Sequence, residues 1–148
     1  MDGRTLKMLK KIALLSVVFA STLQAHAYDK NQTVLDQDFW GTWSVFNAAN
    51  NCSESYQFIK PGQFRYSSQA KIMSGSFAVM RNQDSNALDI LTMKITADNK
   101  KASCADAAID LNNQTLSLGL KWVSKSTAQI CADVEAKQCS PLYLIKQK

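Results

Sequence analysis

Thr115-Leu116-Ser117-Leu118-Gly119-Leu120-Lys121-Trp122-Val123 alternates apolar residues with polar or small ones at a period of two. Successive side chains of a β-strand point to opposite faces. Leu116, Leu118, Leu120 and Trp122 therefore share one face, and Ser117, Gly119 and Lys121 share the other. No helical stripe has this period, so the stretch predicts a half-buried strand. The same reading extends in both directions. Asn112-Asn113 marks a turn, with Ile109 and Leu111 on a strand leading into it. Leu88 to Thr96 sets Leu91, Met93 and Ile95 against Thr92, Lys94 and Thr96, and Gly75 to Arg81 alternates around Phe77 and Val79. Tyr56-Gln57-Phe58-Ile59 runs into Lys60-Pro61-Gly62, and Gln63-Phe64-Arg65-Tyr66 returns. In that hairpin Pro61 presets φ, and Gly62 is expected to accept a positive φ. Trp43, Val45 and Asn47 follow Gly41. The tally is eight or nine short strands spaced about ten residues apart, with no helix beyond about two turns. It predicts an all-β fold, a small antiparallel barrel or sandwich, in one domain.

The two ends of the chain read differently. Met1 to Ala27 has a basic start (Arg4, Lys7, Lys10, Lys11), an apolar run from Ile12 to Ala20 and a small-x-small close at Ala25-His26-Ala27. These are the parts of a cleaved secretory signal peptide. Residues 28–38 follow as a polar N-terminal tail ending in a short helical turn, and residues 39–148 form the barrel domain. The whole chain carries 17 basic and 12 acidic residues, a net charge of +5, and loss of the leader lowers this to +2. A nucleic-acid partner thereby loses its main support. The only histidine, His26, leaves with the leader. Ser-His-Asp and Cys-His catalysis and His-ligated zinc are then excluded, and no metal or cofactor is expected. No later segment is apolar for long enough to span a membrane. The expected location is the periplasm or the exterior of the cell.

Cys52, Cys104, Cys131 and Cys139 remain, and an even count in an exported chain reads as two disulfides with three possible pairings. A hairpin centred on Glu135 chooses among them. Opposing Cys131 to Cys139 sets Asp133 against Lys137, Ile130 against Ser140 and Ala128 against Leu142. Ala128, Ile130, Ala132, Val134, Leu142 and Leu144 then point inward and both cysteines outward. Cys52–Cys104 follows by elimination.

Phe39-Trp40-Gly41-Thr42-Trp43 resembles the G-x-W signature that opens the first strand of lipocalins and related calycin barrels. The resemblance implies an up-and-down barrel of about eight strands. Trp43 would plug one end, and Gly41 would let the entering chain pass close. A lipocalin-like chain also implies a binding protein rather than an enzyme, with a small apolar ligand held in the barrel. The further lipocalin marks, a T-D-Y-like loop and an arginine on the last strand, do not occur. The chain also resembles small periplasmic inhibitors of secreted metalloproteases, β-barrels whose N-terminal tail enters a protease cleft. That likeness implies the alternative function, a protein-binding module acting through residues 28–36 or the barrel loops.

The inward set Trp43, Tyr56, Phe58, Phe64, Phe77, Leu118, Leu120 and Trp122 comprises the expected ligand-binding residues, provided some of the interior is left unfilled. The remaining motifs carry less. Ser68-Gln69-Ala70-Lys71 matches S-x-x-K without the partner motifs that penicillin-recognising enzymes need. Asp98, Asp106 and Asp110 lack the spacing of a calcium loop and read as a solvated turn-forming segment. The glycosylation sequons at Asn31, Asn51 and Asn113 read as chance matches.

Overall fold

The computed structural model describes residues 26–148; residues 1–25 of the expected leader lie outside the described residues. Eight antiparallel strands form one closed barrel in chain order. They are β1 (Gly41–Asn47), β2 (Cys52–Ile59), β3 (Gln63–Ser68), β4 (Lys71–Met80), β5 (Asp89–Asp98), β6 (Thr115–Ser124), β7 (Thr127–Cys131) and β8 (Cys139–Lys146). β8 returns to β1 through Trp43↔Lys146, Ser44↔Ile145 and Val45↔Leu144, which closes the sheet on itself. Among the described residues no helix is long and apolar enough to cross a membrane.

The period-two reading holds along most of the wall. Leu91, Met93 and Ile95 are all buried, and so are Leu120 and Trp122. Residues 109–111 depart from it, forming irregular loop instead of a ninth strand. The Leu111 N–H donates to Asp98 Oδ2 at 2.8 Å, so a side chain takes the bond that a neighbouring strand would have accepted. The β2–β3 hairpin falls where expected, but the Lys60–Pro61 peptide is cis and Gly62 takes no positive φ. Side-chain-bearing residues adopt left-handed backbone at other turns: Asn51, Gln69, Lys100, Asn113 and Ala136.

Three glycines are required by geometry, Gly41, Gly75 and Gly119. Gly41 sits at φ 119°, a conformation that L side chains rarely adopt. Gly75 lies at the register shift between β4 and β5, where a Cβ would stand 1.9 Å from the Lys94 carbonyl oxygen.

Both disulfides form as expected, Cys52–Cys104 and Cys131–Cys139. The hairpin between β7 and β8 corrects the expected register around the second bridge. Cys131 does oppose Cys139, but an irregularity between Gln129 and Cys131 sets Ala128 against Leu144 rather than Leu142. The shift is by two residues, so Ala128 and Leu144 still face inward and are buried. Ala132 does not line the inner wall: β7 ends at Cys131 and Ala132 is exposed in the following loop. Val134 lies in that loop too, and its carbonyl accepts the Leu88 N–H at 2.7 Å. Cys131 is buried although it faces Gly119 on the outer side. The loop covers this spot, because a Cβ on Gly119 would meet the Asp133 carbonyl oxygen at 2.3 Å. The expected Asp133–Lys137 charge pair is replaced as well. The Asp133 carboxylate accepts the backbone N–H groups of Lys137 and Gln138 at 3.0 and 2.9 Å, and the Lys137 ammonium pairs with Glu135. With Ala136 at φ 59°, that carboxylate closes a turn that contains no Gly or Asn.

Residues 28–38 are laid on the barrel. A 3-10 turn (Lys30–Gln32) and one helical turn α1 (Leu35–Asp38) lead into β1. The Lys30 ammonium donates to the carbonyls of Asn82, Asp84 and Ala87 at 2.7–2.9 Å. Arg81 donates to the Thr33 carbonyl at 2.7 Å and to Asn31 Oδ1 at 3.0 Å. Both cations converge on Asp89, whose side chain is fully buried, at 3.7 and 3.0 Å. The Trp122 indole N–H donates to the same carboxylate at 3.0 Å. A buried charge is tolerable only when paired and hydrogen-bonded in this way.

Candidate functional site

The eight expected ligand-binding residues all point into the barrel, but they divide between its two ends. At the N-terminal end the interior is filled with rings. Phe39, from the turn before β1, lies 5.4 Å from Trp43, 4.7 Å from Phe58 and 5.8 Å from Phe77 between ring centroids. Trp122 stands edge-on to both Phe39 and Trp43, at 6.3 and 6.1 Å. Trp43, Phe58, Phe64, Leu120 and Trp122 are buried, and the Trp43 indole N–H is satisfied by the Phe39 carbonyl at 2.8 Å. Phe77 is half-buried beneath Trp40, 5.6 Å away. Trp43 is therefore the plug its motif implied, and Phe39 is a second one. Phe39 stands two residues before Gly41, and alternation from Phe39 onward sets it on the face of Trp43; its place as a second plug is what the structure adds.

The opposite end differs. The connections at residues 48–51, 69–70 and 99–114 meet there. Tyr56, Leu118, Ile130 and Leu142 belong to the inward register yet are only half-buried, and Leu116 is 37 % exposed. Of the expected ligand residues, Tyr56 and Leu118 lie in this less filled half, joined by Ile130 and Leu142. Glu54 also faces inward, two residues from Tyr56 and opposite Val45. The Tyr66 hydroxyl donates to Glu54 Oε1 at 2.7 Å, and the rings of Tyr56 and Tyr66 meet edge to face at 5.0 Å. Burial first, then the Glu54 charge, pushes the Tyr56 phenol well above its ordinary pKa; Asp106 adds to this. Burial and the hydrogen bond to Glu54 likewise raise Tyr66. Both phenols are neutral at physiological pH, and a neutral hydroxyl can donate or accept.

One side of this end is covered by loop 99–114. Its anchor is a buried ion pair, with Lys71 Nζ 3.0 Å from Asp98 and donating also to the Ile109 carbonyl at 3.1 Å. Cys104 ties the same loop to Cys52 at the start of β2. The S-x-x-K motif resolves into the β3–β4 turn: Ser68 opposes Lys71, and the Ser68 hydroxyl donates to the Ser53 carbonyl at 3.0 Å. Among the aspartates, Asp98 pairs with Lys71 and Asp110 with Lys100 at 3.3 Å.

A cavity of about 640 Å³ lies against β6 beneath the N-terminal segment, and two of the expected ligand residues, Leu120 and Trp122, belong to its lining. Tyr28, Lys30, Leu88, Val123 and Ala136 line it, together with His26 and Ala27. The last two belong to the expected leader, so cleavage there would remove part of this cavity's wall. No family model, curated protein or solved structure matches this chain.

Proposed function

We propose that the protein is an exported, lipocalin-like binding protein that takes a small apolar group into the disulfide-bearing end of its barrel and catalyses no reaction. The observation carrying this reading is the set Tyr56, Leu118, Ile130 and Leu142, which face inward beyond the ring cluster of Phe39, Trp43, Phe58 and Trp122 and stay only partly buried. Concave apolar surface beside a few polar groups suits a small ligand. The two disulfides and the leader-like residues 1–27 support export to the periplasm or beyond it. Absence of histidine from residues 28–148 supports binding over catalysis.

The test is titration of the oxidised protein with an apolar fluorescent probe. Saturable binding near micromolar is expected, corresponding to about 8 kcal/mol. Leu118→Trp, which fills the less packed half, should weaken binding at least tenfold while the melting temperature holds. Binding that survives Leu118→Trp unchanged, or never saturates, would reject the reading.

A second reading, a protein-binding module, has its own observation. Phe46 on β1 and Tyr143 and Ile145 on β8 are exposed on the outer wall, and Ile145 pairs with Ser44 beside Phe46. Such apolar surface can meet a partner. Because residues 28–38 are anchored by Lys30 and Arg81, that partner would engage the wall or the loops rather than a free tail.

A further inference from the structure

We infer that the ligand of the disulfide-bearing end carries a cationic head, an amine or quaternary ammonium, on its apolar body. This rests on the binding reading above and names the chemistry of its ligand. Apolar walls alone would accept any greasy molecule, so specificity must come from the polar groups facing inward beside them. Those groups are Glu54, Tyr56 and Tyr66. Glu54 is half-buried and forms no ion pair among the described residues, and its Oε1 accepts the Tyr66 hydroxyl at 2.7 Å. The Tyr56 phenol lies close enough to be raised by the same carboxylate, so Glu54 brings both tyrosines together and carries a negative charge that no cation among the described residues neutralises.

Two cations of this end are committed elsewhere, and Lys101 of loop 99–114 is exposed. Lys71 is held by Asp98 at 3.0 Å and by the Ile109 carbonyl, and Lys100 pairs with Asp110. The acids act on the phenols with no opposing base: Glu54 and Asp106 both raise Tyr56. A part-desolvated carboxylate without a cationic partner favours an incoming positive charge and disfavours a negative one.

The two tyrosines add a second attraction. Their rings meet edge to face, 5.0 Å apart at 64°, and an aromatic face attracts a cation within about 6 Å of its centroid. Tyr56, kept neutral by burial and by Glu54, supplies a ring rather than a competing phenolate charge. Leu118, Ile130 and Leu142 would receive the apolar body.

Chain-matched dodecyl amphiphiles below their micelle concentrations test this by titration calorimetry on the oxidised protein. The trimethylammonium compound should bind at least tenfold more tightly than the neutral alcohol, and the sulfate should bind more weakly than either. Glu54→Gln should remove most of the cation's advantage and leave the alcohol unchanged; Tyr66→Phe should do so in part. Should Glu54→Gln fail to fold, the three-ligand comparison on the unaltered protein decides by itself. Equal affinity for cation and alcohol, or preference for the sulfate, overturns the cationic head while leaving an apolar binding site. Failure of all three to bind saturably overturns the binding reading beneath it.

Discussion

Lys71 and Asp98 form an ion pair at 3.0 Å with both side chains removed from water, and the pair anchors loop 99–114 over part of the barrel end. The same carboxylate accepts the backbone N–H groups of Lys100 and Leu111 at 2.9 and 2.8 Å. Two buried charges stabilise little by themselves, because their desolvation offsets most of their attraction. Here the carboxylate also replaces backbone partners that a ninth strand would otherwise supply.

Removing one partner should therefore cost far more than the pair is worth. Lys71→Met leaves a buried carboxylate unpaired and should destabilise the protein by about 3–5 kcal/mol in urea titration. Asp98→Asn keeps part of the hydrogen bonding and should cost less. A loss below about 1 kcal/mol for Lys71→Met would mean that the loop has another anchor.

Acid should release this anchor. Burial alone would raise the Asp98 pKa, but the Leu111 and Lys100 N–H groups and Lys71 outweigh it, so the carboxyl lies below its ordinary 3.8. A depressed folded-state pKa contributes stability that is fully present well above pH 3.8 and is lost as pH falls through the lower folded value. The unfolding free energy of Asp98→Asn should consequently fall less steeply below about pH 4 than that of the unaltered protein. Parallel curves would remove Asp98 from the acid response.

Trp43 and Trp40 provide an internal comparison of the closed end. Trp43 is fully buried among Phe39 and Trp122, whereas Trp40 packs on Phe77 from outside with its ring half-buried. Trp43→Ala should cost about 3–5 kcal/mol through lost burial and the cavity left behind. Trp40→Ala should cost clearly less. Equal losses would contradict the assignment of Trp43 to the interior.

The Cys52–Cys104 bridge closes 52 residues of sequence separation and ties loop 99–114 to β2. The chain-entropy model assigns such a loop about 4 kcal/mol. Replacing both cysteines by alanine should lower stability by up to that amount and speed amide exchange in residues 99–114. Unchanged exchange there would show that the Lys71–Asp98 pair suffices.

Alternation made the wall legible, since Leu91, Met93, Ile95, Leu120 and Trp122 needed only a period of two. The shared register of residues 128–142 was enough to pair Cys131 with Cys139. It missed the irregularity after Gln129, because a two-residue slip preserves the facing of every side chain and leaves the apolar pattern unchanged. Ala132 failed for another reason: nothing in its type told that β7 stops at Cys131. The buried charges were invisible too. Lys71 stands in an S-x-x-K match that lacks its partner motifs, and Asp98 reads as one of several loop aspartates. Their partnership joins residues 27 positions apart and depends on the closure of the sheet. Which half of the interior would stay less filled was likewise not readable. That depended on Phe39 entering one end and on loop 99–114 covering only one side of the other.

The central claim is that apolar ligand enters the disulfide-bearing end. Cross-relaxation measured by nuclear magnetic resonance between the protons of a saturating apolar probe and methyl-labelled protein tests it most directly. The account predicts contacts to the methyls of Leu118, Ile130 and Leu142, and none to Leu91 or Leu144 deeper in the packed interior. Contacts confined to Ile145 on the outer wall, or to Val123 beside the cavity under the N-terminal segment, would contradict it.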